Sequence, residues 1–235
     1  MKTKLFGLLG GVGIYALAVQ PAGAISFSVS GTGSDGALAA SADFTISAGQ
    51  IVVTIQNLLS AATIKSAGQA VSDLSFTLSN APGTNGTNTA AGTMVNISST
   101  GSTTPASGTP GRWVGLEPGL GGFNISGNTI TLETIGGGMP TEMIFPNGTS
   151  FPNVNMGVQN FNPYVVDGGA TFTLPLSGVL ATTTVIPTSV RFSFGTGPDT
   201  FITVPGPLAG AGLPGLIAAC GGLLALARRR QQKIA

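Results

Sequence analysis

Side chains that often carry enzyme chemistry are scarce in this sequence. It contains no histidine and one cysteine, Cys220. A serine or cysteine nucleophile therefore lacks the imidazole base that usually activates it, and neither a histidine-based zinc site nor a thiolate cluster can form. A single cysteine also excludes an intramolecular disulfide. We expect a protein that is not an enzyme and that holds no metal or other cofactor.

Carboxylates are the remaining catalytic candidates. Glu117, Glu133 and Glu142 are separated in sequence but could meet in a groove, and glycosidases work with two such groups. A carbohydrate-active hydrolase is therefore kept as an alternative, although solvated or turn-forming acids are the plainer interpretation. Asp167 and Asp199 lie in the turn sequences "VVDGGA" and "GTGPDT". No Asp-x-Asp-x-Asp-Gly cluster indicates a calcium loop.

Two aromatic residues could bind a sugar ring by stacking. These are Trp113 and Tyr164, and Asn124, Asn160 and Asn162 could add hydrogen bonds from their amides. Stacking would place the aromatic rings at the surface of a glycan groove. The alternative is that these rings pack in the core or under a loop.

The composition limits the classes of partner. Apolar residues make up 42% of the chain, enough for a core, and charged residues only 7%. The body, 25–203, contains all eight acidic residues but only three basic ones, Lys65, Arg112 and Arg191, so its net charge is −5. Nucleic acid is therefore not an expected partner, because binding phosphates needs clustered Lys and Arg.

Short runs with alternating apolar side chains dominate the body. They are ISFSVSG, ADFTIS, QIVVTIQN, LSFTLSN, ATFTLPLSG and SVRFSFGTG. Val, Ile, Phe and Thr suit a half-buried pleated surface, and Gly, Asn and Pro clusters between the runs supply turns. In QIVVTIQN, the buried face is either that of Ile51, Val53 and Ile55 or the opposite face through Val52. The predicted fold is all-β, an antiparallel β-sandwich of jelly-roll-like type.

Two stretches of the body depart from this pattern. Residues 57–74 are the one moderate candidate for a helix or a loop. Residues 79–111 are rich in Gly, Ser, Thr and Pro, which predicts a mobile surface loop or a polar edge hairpin, with a ligand loop as the alternative.

The N-terminal segment, 1–24, has the pattern of a signal peptide. Lys2 and Lys4 precede an apolar run, and Ala22 and Ala24 are the small residues that signal peptidase recognises. We expect cleavage before Ile25 and export of the body. The alternative is an uncleaved anchor, for which the apolar run is short.

The C-terminal segment, 204–235, is apolar and then basic. Leu208 to Ala227 contains no charged side chain and is long enough to span a bilayer as a helix. Arg228, Arg229 and Arg230 follow and would lie on the cytoplasmic side. Glycine and alanine in the apolar stretch would let a second helix pack closely. We therefore expect at least transient anchoring in the inner membrane.

The order of signal peptide, body, "VPGP", apolar helix and arginine cluster resembles the PEP-CTERM proteins, exported bacterial substrates of exosortase. Val204, Pro205 and Pro207 match the Val-Pro-x-Pro opening of that sorting signal, whereas Gly206 stands where the family usually has Glu. Arg228 to Arg230 match its basic end.

The resemblance implies recognition and cleavage near Pro207 by exosortase, with delivery to the cell surface or the matrix. The expected function is a structural or glycan-binding module associated with exopolysaccharide in biofilm. A membrane-anchored adhesin that retains its helix is the alternative.

Overall fold

The computed structural model describes residues 24–117, 122–135, 139–197 and 201–204. These residues are mostly β-strand, in two antiparallel sheets with few helices. The strands are β1 (Ile25–Gly33), β2 (Gly36–Ser47), β3 (Gln50–Asn57), β4 (Val71–Thr77), β5 (Gly83–Thr84), β6 (Thr89–Ile97), β7 (Thr103–Pro105), β8 (Gly122–Ser126), β9 (Thr129–Glu133), β10 (Tyr164–Ser177), β11 (Arg191–Phe194) and β12 (Phe201–Thr203). Short 3-10 helices lie at Ala61–Thr63, Ala67–Gln69, Gly111–Val114, Met156–Phe161 and Pro187–Ser189.

The larger sheet has the order β1-β2-β3-β10-β6-β7, with β5 also paired to β10. The smaller sheet has the order β12-β11-β4-β9-β8. Consecutive strands form hairpins where the connection is short, as in β1-β2, β2-β3 and β8-β9. This arrangement is consistent with the predicted all-β sandwich.

Where apolar and polar residues alternate in the sequence, buried and partly exposed side chains alternate along the strand. In β3 the side chains of Ile51, Val53 and Ile55 are fully buried, and those at Val52 and Thr54 are partly exposed. Of the two faces of β3 between which the sequence did not decide, the one with Ile51, Val53 and Ile55 is therefore the buried one. The same alternation holds along β2, where Phe44 and Ile46 are buried. A strand places successive side chains on opposite sides, so one face of each sheet is apolar.

The apolar faces of the two sheets share one core. Phe44 of the larger sheet meets Phe76 of the smaller sheet edge-on, with ring centroids 4.8 Å apart. Phe27 packs against Phe44 at 5.7 Å. Fully burying each such side chain contributes about 2 kcal/mol, so the contact between sheets is a main source of stability.

A second buried cluster lies under the 3-10 helices and loops. Phe145 stacks on Tyr164 with centroids 4.2 Å apart and contacts Phe151 at 5.3 Å. Ile64 and Val158 belong to the same buried cluster and come from connections between strands. The loops are therefore held by packing as well as by hydrogen bonds.

Residues 57–74 do not form an α-helix. After β3 the chain makes the 3-10 turns Ala61–Thr63 and Ala67–Gln69 and then enters β4 at Val71. The buried Gln69 side chain accepts from the N–H of Lys65 and donates to the carbonyl of Ala37, which holds this connection on β2. Packing on the sheet prevails over the modest helical tendency of the sequence.

Residues 79–111 are more ordered than a mobile loop. They contain β5, β6 and β7, and β6 lies inside the larger sheet between β10 and β7. The edge-hairpin alternative is therefore the better description. Gly92 makes the close approach of β6 and β10 feasible, since a Cβ there would lie 2.8 Å from Val165 Cγ1.

Asp167 lies in a bulge of β10 rather than in a connecting turn. It has φ of 58°, and the pairing of β10 with β6 shifts between Val166 and Thr171. At Gly169 a Cβ would lie 1.9 Å from the carbonyl oxygen of Ile55, so only glycine fits. The bulge explains the "VVDGGA" sequence without a ligand. Asp199 lies outside the described residues.

Candidate functional site

Val204, the first residue of the predicted sorting motif, directly follows the strand β12. Val204 is buried, and its N–H donates to the carbonyl of Val190 at 3.0 Å. Pro205, Gly206 and Pro207 lie outside the described residues, as do Ala22 and the cluster Arg228 to Arg230. Ala24 is exposed and directly precedes β1.

An apolar groove joins the two ends of the body. It has a volume of about 690 Å³. Its lining consists of Ile25, Ser26, Phe27, Ser28, Thr184, Val185, Pro187 and Val204. The first strand and the last described residue therefore meet on one side of the molecule.

Trp113 is part of the core and cannot stack on a sugar. Its side chain is fully buried, its indole N–H donates to the carbonyl of Glu142 at 2.8 Å, and its ring lies 5.4 Å from that of Phe172. The packing alternative is correct for this residue. It belongs to the 3-10 helix Gly111–Val114, all four residues of which are buried.

Tyr164 is buried in the same way. Its hydroxyl donates to the carbonyl of Val158 at 2.8 Å, and burial raises the pKa of the phenol. Of the asparagines considered with it, Asn162 has its side chain occupied by the backbone of Ile97, accepting from its N–H at 2.7 Å and donating to its carbonyl at 3.1 Å. Asn124 and Asn160 are exposed. The predicted aromatic glycan site is therefore wrong.

Two of the three candidate glutamates do meet. Glu142 and Glu117 line the same cavity, and burial, with the Glu117 carboxyl nearby, raises the pKa of Glu142 to about 7. Glu142 Oε2 accepts from the peptide N–H of Arg112 at 2.9 Å. The Arg112 guanidinium, almost fully buried, lies 3.5 Å from Glu117 and also donates to the carbonyl of Met139. Glu133 belongs to a different place, next to Asp73.

This carboxyl pair lines a cavity of about 360 Å³ together with Ser107, Thr109 and Thr141. Two glycosidase carboxyls are separated by roughly 5 Å or more, so that a sugar carbon or a water fits between them. Here Glu117 pairs with the Arg112 guanidinium, and Glu142 accepts from the Arg112 peptide N–H. Their geometry fits a structural pair with Arg112 better than a glycosidase.

A polar groove of about 640 Å³ was not anticipated from the sequence. Asp35 comes from the β1-β2 turn, Lys65 and Ser66 from the connection to β4, and Asn153 and Asn155 from a distant loop. The Ser66 hydroxyl donates to Asp35 at 2.5 Å, and the Asn155 N–H donates to the carbonyl of Lys65 at 2.7 Å. The groove combines a carboxylate, an ammonium and amides, which can hydrogen-bond hydroxyl-rich ligands.

The outer faces of both sheets carry hydroxyl groups. Thr54 and Thr171 are cross-strand partners whose Oγ1 atoms lie 2.9 Å apart. Thr77 and Thr129 repeat the arrangement on the smaller sheet, also at 2.9 Å. Such surfaces are solubilised by hydroxyls rather than by charges.

Comparison with protein-family models, curated proteins and solved structures finds no match for this chain. In the described part of the chain, no three or more Cys, Asp or Glu side chains group together in a way that could hold a metal ion. The helices among the described residues are too short or too polar to cross a membrane. The predicted span Leu208 to Ala227 lies outside those residues.

Proposed function

We propose that this chain is an exported bacterial protein of the cell surface or extracellular matrix, processed by exosortase and associated with exopolysaccharide in biofilm. The observation that carries the proposal is the fit between the folded body and the two processing signals. β1 begins at Ile25, directly after Ala24, and β12 ends at Thr203, directly before Val204, the first residue of Val-Pro-Gly-Pro. Cleavage at both signals would release every described strand intact.

The groove between the two ends supports the same route. Ile25 and Val204 line it together, so both processed ends leave the body on one side. With the predicted helix Leu208 to Ala227 in the inner membrane and Arg228 to Arg230 on its cytoplasmic side, the rest of the body would point away from the bilayer. We also propose that the signal peptide before Ala24 forms a helix and that the strands of the body are connected as in a jelly roll.

The body acts, in this proposal, as a non-catalytic structural or glycan-binding module. The polar groove of Asp35, Lys65 and Asn155 is the place where exopolysaccharide hydroxyls would be bound. Without an aromatic ring in its lining, each sugar contact is weak. Useful affinity would come from many modules on one polymer, as expected in a matrix.

The first test measures the mass and both terminal peptides of the protein from its native host, with and without exosortase. We expect a mature form that starts at Ile25 and ends near Pro207, seen only when exosortase is present. Pro207→Ala should reduce processing, and Pro152→Ala, an exposed proline in the body, is the matched control. If 208–235 stays attached in both strains, the protein is a permanently anchored adhesin.

Glycan binding is tested separately. Retention of the protein on the host's purified exopolysaccharide should fall about threefold in Asp35→Asn, which removes one charged acceptor. Asp43→Asn, on the outer face of β2, should bind like the wild type. Equal retention of all three proteins would assign the groove no role.

A further inference from the structure

A row of polar residues crosses three strands of the smaller sheet. Asp73 of β4 is the direct cross-strand partner of both Ser193 of β11 and Glu133 of β9. The core residues Phe192, Leu74 and Leu132 precede or follow them by one position, so the row lies on the outer face of the sheet. Neighbouring strands are about 4.8 Å apart, so Ser193 and Glu133 lie one strand spacing from Asp73, on its two sides.

The row is buried although it lies on the outer face. Asp73 is 3% exposed and Ser193 is 0% exposed, whereas Glu133 is partly open to solvent. Glu133 therefore marks the side from which a small ion could enter.

Hydrogen bonding in this row is incomplete. Asp73 Oδ1 and Ser193 Oγ are buried and make no well-aligned hydrogen bond among the described residues, although the Ser193 hydroxyl and the Thr134 peptide group lie close enough to the carboxyl to lower its pKa in part. A buried polar atom without a partner costs about 1–3 kcal/mol, and like charges directly opposite on neighbouring strands also destabilise a sheet. Such costs are unusual without a ligand that relieves them.

No basic side chain in the described part of the chain neutralises this row. Arg191, two residues before Ser193, is exposed, and the ion pair that Arg112 makes is with Glu117. Burial raises the pKa of Asp73 to about 7, the Ser193 hydroxyl lowers it in part, and the charge of Glu133 raises it further. Burial also raises the pKa of Glu133. Asp73 and Glu133 are therefore cross-strand carboxyl groups without a cationic partner among the described residues.

We infer that Asp73, Glu133 and Ser193 form a binding site for a divalent cation of the calcium class. Calcium takes oxygen ligands only, accepts hydroxyls and carboxylates together, and tolerates irregular geometry, with water completing the shell. Magnesium demands a more regular octahedron, and zinc prefers nitrogen and sulfur. The site goes beyond the proposed function and departs from the expectation, drawn from the sequence, that the protein holds no metal.

The experiment titrates calcium into the full chain, purified in detergent and stripped with EDTA. Equilibrium dialysis with radioactive calcium measures stoichiometry and affinity. We expect one ion per chain with a dissociation constant near or below about 1 mM, the range of extracellular modules. Binding should tighten as the pH rises from about 6 to 8, because ligand carboxylates must lose their protons.

Variants separate this site from other acids. Glu133→Gln should weaken binding at least about tenfold, and Ser193→Ala should weaken it less, because a charged ligand contributes more than a hydroxyl. Asp43→Asn, an acid on the outer face of the larger sheet, and Glu117→Gln, in the pair with Glu142, should leave it unchanged. Circular dichroism checks that each variant is folded.

Two results would overturn the inference. One is the absence of binding to the wild-type chain at about 5 mM calcium, above the range of extracellular sites. The other is equal calcium affinity in the wild type, Glu133→Gln and Ser193→Ala. Neither result bears on processing at Ile25 and Pro207, so the proposed function is tested independently.

Discussion

Two pairs of carboxyl groups in this molecule meet the cost of burial differently. In each pair, burial raises the pKa of the more buried member, Glu142 or Asp73, to about 7. Glu142 accepts from the Arg112 peptide N–H, and its neighbour Glu117 contacts the Arg112 guanidinium. Asp73 lacks a comparable cation among the described residues. The charged form of Glu142 is therefore stabilised by neighbouring groups of the fold, whereas that of Asp73 needs a bound cation, without which Asp73 takes up a proton.

The largest expected effect is on the pH dependence of stability without metal. The pKa of Asp73 is about 7 in the folded state against an ordinary value of 3.8. A raised pKa means that the stabilisation is fully present below about pH 3.8 and is lost as the pH rises through about 7. The difference between these two pKa values of Asp73 corresponds to roughly 4 kcal/mol in the free energy of unfolding. Urea unfolding of the EDTA-treated full chain from pH 4 to 8 should show this decline.

Asp73→Asn isolates that contribution, because it leaves the raised pKa of Glu142 in place. The variant should lose the part of the decline that Asp73 contributes and keep the part of similar size that Glu142 contributes, and calcium should reduce the decline in the wild type only. If the free energy of unfolding depends on pH in the same way in wild type and variant, Asp73 does not contribute to the decline.

The second effect is on the pair held by arginine. Glu142→Ala should lower the free energy of unfolding by about 3 kcal/mol, because it leaves the buried Arg112 N–H without its acceptor and removes compensation for the guanidinium. Fluorescence of Trp113, which donates to the Glu142 carbonyl, follows the unfolding. Glu142→Gln keeps an acceptor and should cost only about 1 kcal/mol. Equal losses in both variants would contradict a role for that acceptor.

The third effect concerns Ser193. Without calcium, Ser193→Ala removes a buried hydroxyl that has no partner, so the variant should be as stable as the wild type or more stable by about 1 kcal/mol. Thermal unfolding in EDTA measures this. Thr134→Ala is the contrasting variant, since its buried hydroxyl donates to the Ser72 carbonyl at 3.2 Å, and it should lose about 1 kcal/mol. A destabilised Ser193→Ala would indicate a hidden hydrogen bond.

The smallest effect is expected at Glu117. Its side chain is 48% exposed, so its contact with Arg112 is screened by water. Glu117→Gln should change the free energy of unfolding by less than about 1 kcal/mol. A loss as large as that of Glu142→Ala, measured by the same urea series, would mean that the pair acts as one unit.

The strands were predictable because their signal is local. Period-two alternation in "ADFTIS" and "SVRFSFGTG" follows from the geometry of a pleated strand, which is the same in any sheet. For 57–74 the sequence left a helix or a loop open, and the structure has two 3-10 turns and the start of β4 there, because Gln69 holds this connection on β2. The long polar stretch 79–111 concealed β6, whose small residues suit close strand packing and carry little hydrophobic signal.

By itself, the sequence determined the all-β character of the body, the lack of histidine and thiolate chemistry, and the order of signals on which the sorting proposal rests, because these depend on composition and short spacing. Only the tertiary structure decided that Trp113 and Tyr164 are core residues, that Glu117 meets Glu142, and that Asp73 faces Glu133 and Ser193. Those contacts join residues 25 to 120 positions apart, and their distances depend on sheet register and on the packing of one sheet against the other.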